Sequence, residues 1–399
     1  MSQILEQNYY CIPSLWIQGY RPFRELKAVF SPLEVIVGAN GAGKSSLFEF
    51  LRFLRDSIYQ EIPPEIVAGS IGQQIFHRPG PYKFWWSLEV DFHQYSTIFY
   101  QGELMGPVGR THISFETVRT SEPTPGHSDA YLFMKVREGK GVVQDPETKG
   151  LVRQEWSLDL RKPNQLALST ITNPAQTTLY NLREFIAGWR IYSSLNINYG
   201  KIRQPVPIAQ EPVLYEDASN LSAVLFYLWT EHPKEFNDLK TYLRSAIPGF
   251  GNLTVKARGG PGQVIALWQE DGVPDELSLA DLSDGILRFL CWATLCVVPN
   301  PPSLICVDEP DQGVHPRTLP ILAGLFQKAC QRTQILLATH ASYFLTQFDI
   351  SHIAVMKKVN GESIYVKPAD SATLRANLQD FGADELEAMH RSDELEALA

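Results

Sequence analysis

Val37-Gly38-Ala39-Asn40-Gly41-Ala42-Gly43-Lys44-Ser45-Ser46 is the stretch whose reading decides the fold. It follows a mostly apolar run, Leu33 to Val37, and opens an apolar-periodic segment, Leu47 to Leu54, so the order is strand, glycine loop, helix. In that context the glycines at 38, 41 and 43 let the backbone turn with its N–H groups pointing inward around phosphate oxygens, and the helix start adds partial positive charge. Lys44 is placed to reach β- and γ-phosphates and Ser45 to offer a hydroxyl to Mg²⁺, with Asn40, Gly41, Ala42, Gly43 and Ser46 completing the cradle.

A second constellation lies far downstream. Leu282-Ser283-Asp284-Gly285 runs into the apolar segment Ile286 to Ala293, a Ser-x-Gly turn that reads either as an anion-binding helix start or as a plain N-cap at Ser283 or Asp284. After Pro301-Pro302, the run Ser303 to Val307 is an apolar strand ending in Asp308-Glu309. Parallel strands buried on both faces end this way at a ligand edge. Asp308 can then hold the Mg²⁺ shell with Ser45, and Glu309 can polarise an attacking water; the presence of Lys44 upstream makes a mere acidic turn the poorer reading. Gln312 to Pro316 predicts a tight loop, Leu319 to Cys330 a helix, and Gln334 to Ala338 a second apolar strand ending in Thr339-His340. His340 stands where a γ-phosphate donor would, although a lone histidine is commonly structural.

The 399 residues, 44% of them apolar, suffice for two lobes, and no composition bias points to a fibre or to disorder. The opening residues lack a signal peptide's basic and apolar regions, and no run has the length of a membrane span, so the expected compartment is the cytoplasm. Five cysteines, an odd number without C-x-x-C spacing, read as buried thiols. A net charge of −9 gives no bulk pull towards polyanions, leaving a local basic groove neither shown nor excluded.

Between the two constellations the period changes twice. Leu15 to Ile17, Gly19 to Arg24 and Ala28 to Phe30 predict short strands leading into the phosphate-loop strand, with Arg21 and Arg24 either near the nucleotide or solvated on an edge. From 84 to about 160, alternation at Trp86, Leu88, Val90 and Phe92, at Ile113, Phe115 and Thr117, and at Leu132, Met134 and Val136 predicts antiparallel strands. Pro123 to Asp129 and Gly139 to Gly150 read as exposed connections. Leu182 to Trp189 has helical spacing, Ile191 to Ile197 that of a strand, and helices are expected from Leu221 and over Glu235 to Ile247; Leu253 to Ala257 and Val264 to Trp268 flank a hairpin turn. No sustained heptads occur, which argues against a long coiled-coil arm.

Together, Gly38 to Ser45, Leu282 to Gly285, Leu304 to Pro316 and Thr339-His340 resemble the heads of ABC-type ATPases, in particular the RecF/SMC/OLD-like branch of AAA family ATP-binding proteins. Glu309 to Pro316 matches that branch's E-P-x-x-G-x-H-P, and Asp217-Ala218-Ser219-Asn220-Leu221 is similar to a segment of its small stand-alone members. The resemblance implies an α/β P-loop ATPase head with an antiparallel β subdomain and a helical insertion. The implied division is an N-terminal lobe over 1–180, the insertion over 181–250, a C-terminal lobe over 251–370 and an acidic tail over 371–399. It implies ATP and Mg²⁺ as ligands, Lys44, Glu309 and His340 as catalytic groups with Glu309 the general base, and Ser45 and Asp308 on the metal. Ser283, Asp284 and Gly285 would face the γ-phosphate bound to another protomer, which implies a homodimer through ATP-sandwiched heads, or a higher oligomer built from it. Hydrolysis would then release the heads and control a separately encoded effector, a nuclease or toxin in antiphage defence; the alternatives are a RecF-like DNA-repair clamp and an ATP-dependent scaffold with negligible turnover. No spaced Glu and Asp-x-Asp set follows His340, so a nuclease is expected to act in trans. The inter-lobe glutamine stays open among Gln73, Gln74, Gln165 and Gln204, and the repeated acidic tail reads as a solvated or partner-docking helix.

Overall fold

Leu33–Val37 (β3), Leu304–Asp308 (β15) and Gln334–Ala338 (β16) lie side by side as parallel strands at the centre of a six-stranded sheet. They come from a computed structural model that describes residues 9–62, 75–92, 97–107, 111–123, 128–145 and 154–370. Trp189–Ser193 (β10) flanks them on one side; Ile353–Val359 (β17) and Glu362–Val366 (β18) flank them on the other, giving the order β10-β15-β16-β3-β17-β18. Only the β17–β18 pair is antiparallel.

The three central strands are mostly apolar because both faces are covered. Val35, Val37, Ile305, Val307, Ile335 and Leu337 enter one core, packed by helices Leu221–Glu231 (α3), Pro233–Ala246 (α4), Asp284–Val297 (α5) and Leu319–Ala329 (α6). Their neighbours Ile36, Leu304, Cys306, Leu336 and Ala338 enter a second core with helices Lys44–Tyr59 (α1) and Thr177–Ala187 (α2). Alternation at a spacing of two therefore divides one strand between two cores.

The second core is closed by an eight-stranded antiparallel sheet in the order β2-β1-β4-β5-β6-β7-β8-β9. Its strands are Cys11–Tyr20 (β1), Phe23–Val29 (β2), Lys83–Asp91 (β4), Ile98–Met105 (β5), His112–Pro123 (β6), Ala130–Arg137 (β7), Lys140–Asp145 (β8) and Gln154–Asp159 (β9). The short segments expected between 15 and 30 are two longer strands, which form a hairpin in this sheet and do not join the phosphate-loop sheet. Its turn sits at Arg21, with φ 45°.

The exposed connection expected from Gly139 is in part strand β8, reached through a two-residue turn in which Glu138 and Gly139 both have positive φ (46° and 75°). Such turns match the twist of a hairpin. Trp86, Leu88, Val90 and Phe92 are buried as the alternation predicts. Along β6 Ile113 and Thr117 are buried as expected, but beyond a register shift at Glu103/Leu104 Phe115 is only half-buried and Glu116 and Val118 turn to the core. A bulge adds one residue to one strand, and that reverses every side chain beyond it.

Phe250–Ala257 (β12) and Gln263–Glu270 (β13) form the expected hairpin, joined by the short strands Val206–Pro207 (β11) and Leu277–Ser278 (β14) in a third sheet. The 181–250 segment, expected to be helical, also supplies β10 to the central sheet, and the helix expected over 182–189 ends at Ala187 because Trp189 starts that strand. Among the described residues the longest helix is α1, at 16 residues, and none is long and apolar enough to cross a membrane. Gln73, Gln74 and the acidic tail lie outside the described residues.

Candidate functional site

Strand register brings the site together. Ser193 pairs with Asp308, Asp308 with Ala338, and Ala338 with Ile36, so the segments after β3, β15 and β16 all leave the same edge of the sheet. This is the carboxyl edge, where open α/β sheets bind ligands.

The loop from Gly38 to Gly43 is shaped by positions that only glycine fills easily. A Cβ on Gly38 (φ 148°) would lie 1.9 Å from the Met356 carbonyl oxygen, and one on Gly43 (φ 113°) 2.7 Å from the Phe23 ring. The phosphate loop is thus clamped between β17 and the first hairpin. Gly43 caps α1 without a side chain, which leaves the N–H groups of the first helical turn directed at whatever the loop encloses. Lys44 is buried, and its Nζ donates to the carbonyl oxygens of Gly38 at 2.6 Å and Ala39 at 3.2 Å, so the ammonium lies within the loop.

Ser45 Oγ donates to Asp308 Oδ2 at 3.0 Å. Burial raises the Asp308 carboxyl above its usual range, while the Ser45 hydroxyl and the Lys44 and Arg52 cations pull it back towards the charged form. A hydroxyl and a carboxylate side by side, next to an anion-binding loop, suit a hard divalent cation that takes its remaining ligands from phosphate and water. Among the described residues no cluster of three His, Cys, Asp or Glu groups that could hold a metal ion forms.

Glu309 follows Asp308 in a left-handed conformation, φ 54°, that costs a residue with a Cβ about 1–2 kcal/mol. The turn is held at both ends: its N–H donates to Ala338 O at 2.8 Å, and its carbonyl accepts from the Ser194 hydroxyl. Burial, then the negative charges of Asp308 and Asp311, raise the Glu309 carboxyl, which makes it a stronger base. His340, two residues beyond β16, is exposed at this edge.

The remaining expected residues have other partners. Ser283 is the exposed N-cap of α5, its Oγ accepting from Ile286 N at 3.4 Å; Asp284 pairs with Arg203 at 3.0 Å; and Gly285 faces the Gly313 carbonyl so closely that a Cβ would lie 2.5 Å from it. The Ser283–Gly285 turn is therefore packed on the loop after Glu309. Arg21 pairs with Glu49 of α1 and Arg24 with Glu362 of β18, so both guanidinium groups have carboxylate partners. Asp311 and Thr339 were not assigned roles from sequence, yet Thr339 Oγ1 donates to Asp311 Oδ1 at 2.5 Å. The signal was a carboxylate three positions after Asp308 and a hydroxyl directly before His340.

A family model described as "AAA domain, putative AbiEii toxin, Type IV TA system" matches residues 155–346, and a second AAA-domain model matches residues 14–70. The fold is similar to that of an SMC head bound to the C-winged helix domain of ScpA, at a TM-score of 0.54 and 13% identity, over 89% of this chain and 97% of that one. The fold is that of an ABC-type ATPase head of the SMC kind, and the two AAA-domain models match parts of the same sequence. A similar likeness joins this head to the Pyrococcus furiosus SMC head with an extended coiled coil bound to the C-terminal domain of ScpA, at 0.55 and 12% identity, covering 93% of this chain and all of that one (100%). No curated protein matches the head's sequence.

Proposed function

We propose that this head binds and hydrolyses ATP, closes with a second copy around the nucleotide, and so controls a partner effector. The observation that carries the reading is the 3.0 Å bond between Ser45 and Asp308 beside the buried Lys44. It joins the end of the phosphate loop to the end of the carboxylate strand, as binding a metal-chelated triphosphate requires.

In this reading Lys44 and the helix N–H groups bind the β- and γ-phosphates, and Ser45 and Asp308 hold Mg²⁺, which neutralises charge on those oxygens. Glu309 accepts a proton from water as the water oxygen bonds to the γ-phosphorus; the bond from that phosphorus to the β–γ bridging oxygen breaks, leaving ADP and phosphate. His340 donates a hydrogen bond to a γ-phosphate oxygen. Ser283 and Gly285, exposed or half-buried at the start of α5, complete the site of a second copy. The toxin and toxin–antitoxin wording of the matching family model, and the partner domains held by the similar SMC heads, support an effector protein as the output.

Glu309→Gln tests the reading. The variant is expected to bind ATP, lose turnover by about 10²–10⁴-fold and double its solution mass with Mg-ATP. Normal hydrolysis would remove Glu309 from the role of base, and a mass indifferent to ATP would remove the sandwich.

A further inference from the structure

The side chain that ties the carboxylate loop to the histidine segment is Asp311. Its Oδ1 accepts the Thr339 hydroxyl at 2.5 Å, and the same Thr339 oxygen accepts the Ala341 N–H at 3.0 Å. The hydroxyl therefore closes a turn across residues 339–341, with His340 at its apex. A hydroxyl has one proton to give. Asp311 takes it, which fixes the rotor and leaves the oxygen's lone pairs for Ala341.

The turn is anchored on its other sides by backbone. Thr339 N donates to Ile36 O at 3.1 Å, next to the phosphate loop, and Glu309 N donates to Ala338 O at 2.8 Å. Asp311 itself belongs to a loop closed by its own turn, in which Val314 N donates to Asp311 O at 3.1 Å, and gripped from the α5 side, where Arg288 Nη1 donates to Gln312 O at 2.5 Å and Gly285 abuts Gly313. One hydrogen bond between side chains thus connects the face that carries Ser283–Gly285 to the segment that carries His340.

We infer that Asp311 is a positioning residue: through Thr339 it sets the orientation of His340, and it transmits contact at the Ser283–Gly285 face to that histidine in the same protomer. The inference rests on the ATPase reading for its kinetic consequence, while its structural half can be read without turnover.

The experiment compares Asp311→Ala, Asp311→Asn, Thr339→Val and the Asp311→Ala/Thr339→Val double variant, in the full chain. Asn keeps an acceptor oxygen for the hydroxyl, and Val keeps the shape of Thr without it. Asp311→Ala and Thr339→Val are each expected to lower kcat about 10- to 100-fold with KM for ATP within about twofold, the double variant to be no worse than either, and Asp311→Asn to stay within about threefold of the parent. In a His340→Ala background Asp311→Ala should cost no more than Asp311→Asn does, since both remove the charge that helps raise the Glu309 carboxyl. An undiminished kcat in Asp311→Ala, or a loss beyond that of Asp311→Asn that persists without His340, would overturn the inference.

A second readout separates this result from the fate of the ATPase reading. With histidine-selective isotope labelling, the His340 ring signal, assigned by its disappearance in His340→Gln, is expected to move in nucleotide-free Asp311→Ala and Thr339→Val and to hold its place in Asp311→Asn. A parent protein that turned over no ATP would end the ATPase reading and leave this arm to decide the pair; a His340 signal unmoved by Asp311→Ala would end the pair.

Discussion

Ser45 and Asp308, separated by 263 positions in the chain, meet in a hydrogen bond of 3.0 Å. Neither residue lies in a segment that could reach the other locally. Ser45 begins α1 and Asp308 ends β15, with β16 between β15 and β3, so the meeting depends on the sheet order β15-β16-β3. Removing the carboxylate charge separates metal from nucleotide. Asp308→Asn is expected to weaken Mg-ATP binding about tenfold or more while leaving ATP affinity in EDTA at the parent's value. Titration with a fluorescent ATP analogue in both buffers reads the difference; an equal loss in both would mean that Asp308 shapes the loop instead of holding the cation.

Lys44→Ala removes a buried ammonium from a loop built around it. A charged hydrogen-bond donor at a phosphate contributes about 1.5–3 kcal/mol, so ATP affinity should fall about 10- to 100-fold by calorimetry. Unchanged affinity would place the nucleotide elsewhere.

The loop's glycines should not be equivalent. Gly38→Ala forces a Cβ to within 1.9 Å of the Met356 carbonyl, on backbone that cannot swing away, and is expected to destabilise the fold by about 3 kcal/mol or more. Gly41→Ala meets nothing within 4 Å and carries only the left-handed cost of about 1–2 kcal/mol. Urea midpoints of the two variants would show the order, and a reversed order would contradict the packing of β17 on the loop.

Glu116 lies fully buried, accepting from Leu168 N at 3.0 Å, Ala167 N at 2.5 Å and the Tyr100 hydroxyl at 3.1 Å. Burial outweighs these bonds and pushes its carboxyl up to about 7 from 4.5. Between those two values the folded protein holds a proton that the unfolded chain has released. Stability from this group is therefore greatest at about pH 4.5 and below, and falls as pH rises towards 7, by about 3 kcal/mol in all. Denaturant midpoints at pH 5 and pH 8 should differ less in Glu116→Gln than in the parent. An identical pH slope in the two proteins would show that the three donors keep Glu116 ionised throughout.

The sequence made legible whatever is set by unbroken local patterns. Leu33–Val37, Leu304–Asp308 and Gln334–Ala338 announce themselves as short apolar runs ending in chemistry, because parallel strands covered on both faces admit little else. The inward face of β6 was not legible: the shift opposite Glu103 is a property of two strands together, and Phe115 looked like core where Glu116 is. The strand read over Ile191 to Ile197 lies at Trp189–Ser193; its start was displaced because edge membership in a sheet depends on a neighbour more than a hundred positions away. Asp311 escaped because its partner, Thr339, stands at the end of another strand.

The placement of β3 between β16 and β17 also governs when the proposed nucleotide site can first form. Its flanking strands are Gln334–Ala338 and Ile353–Val359, both near the far end of the described chain. At roughly 5–20 residues per second of synthesis, the glycine loop leaves the ribosome on the order of 15–60 s before the strands that clamp it. A nascent chain therefore carries the glycine loop before the strands that pack on it, and the proposed nucleotide site is complete only once Ile353–Val359 has emerged.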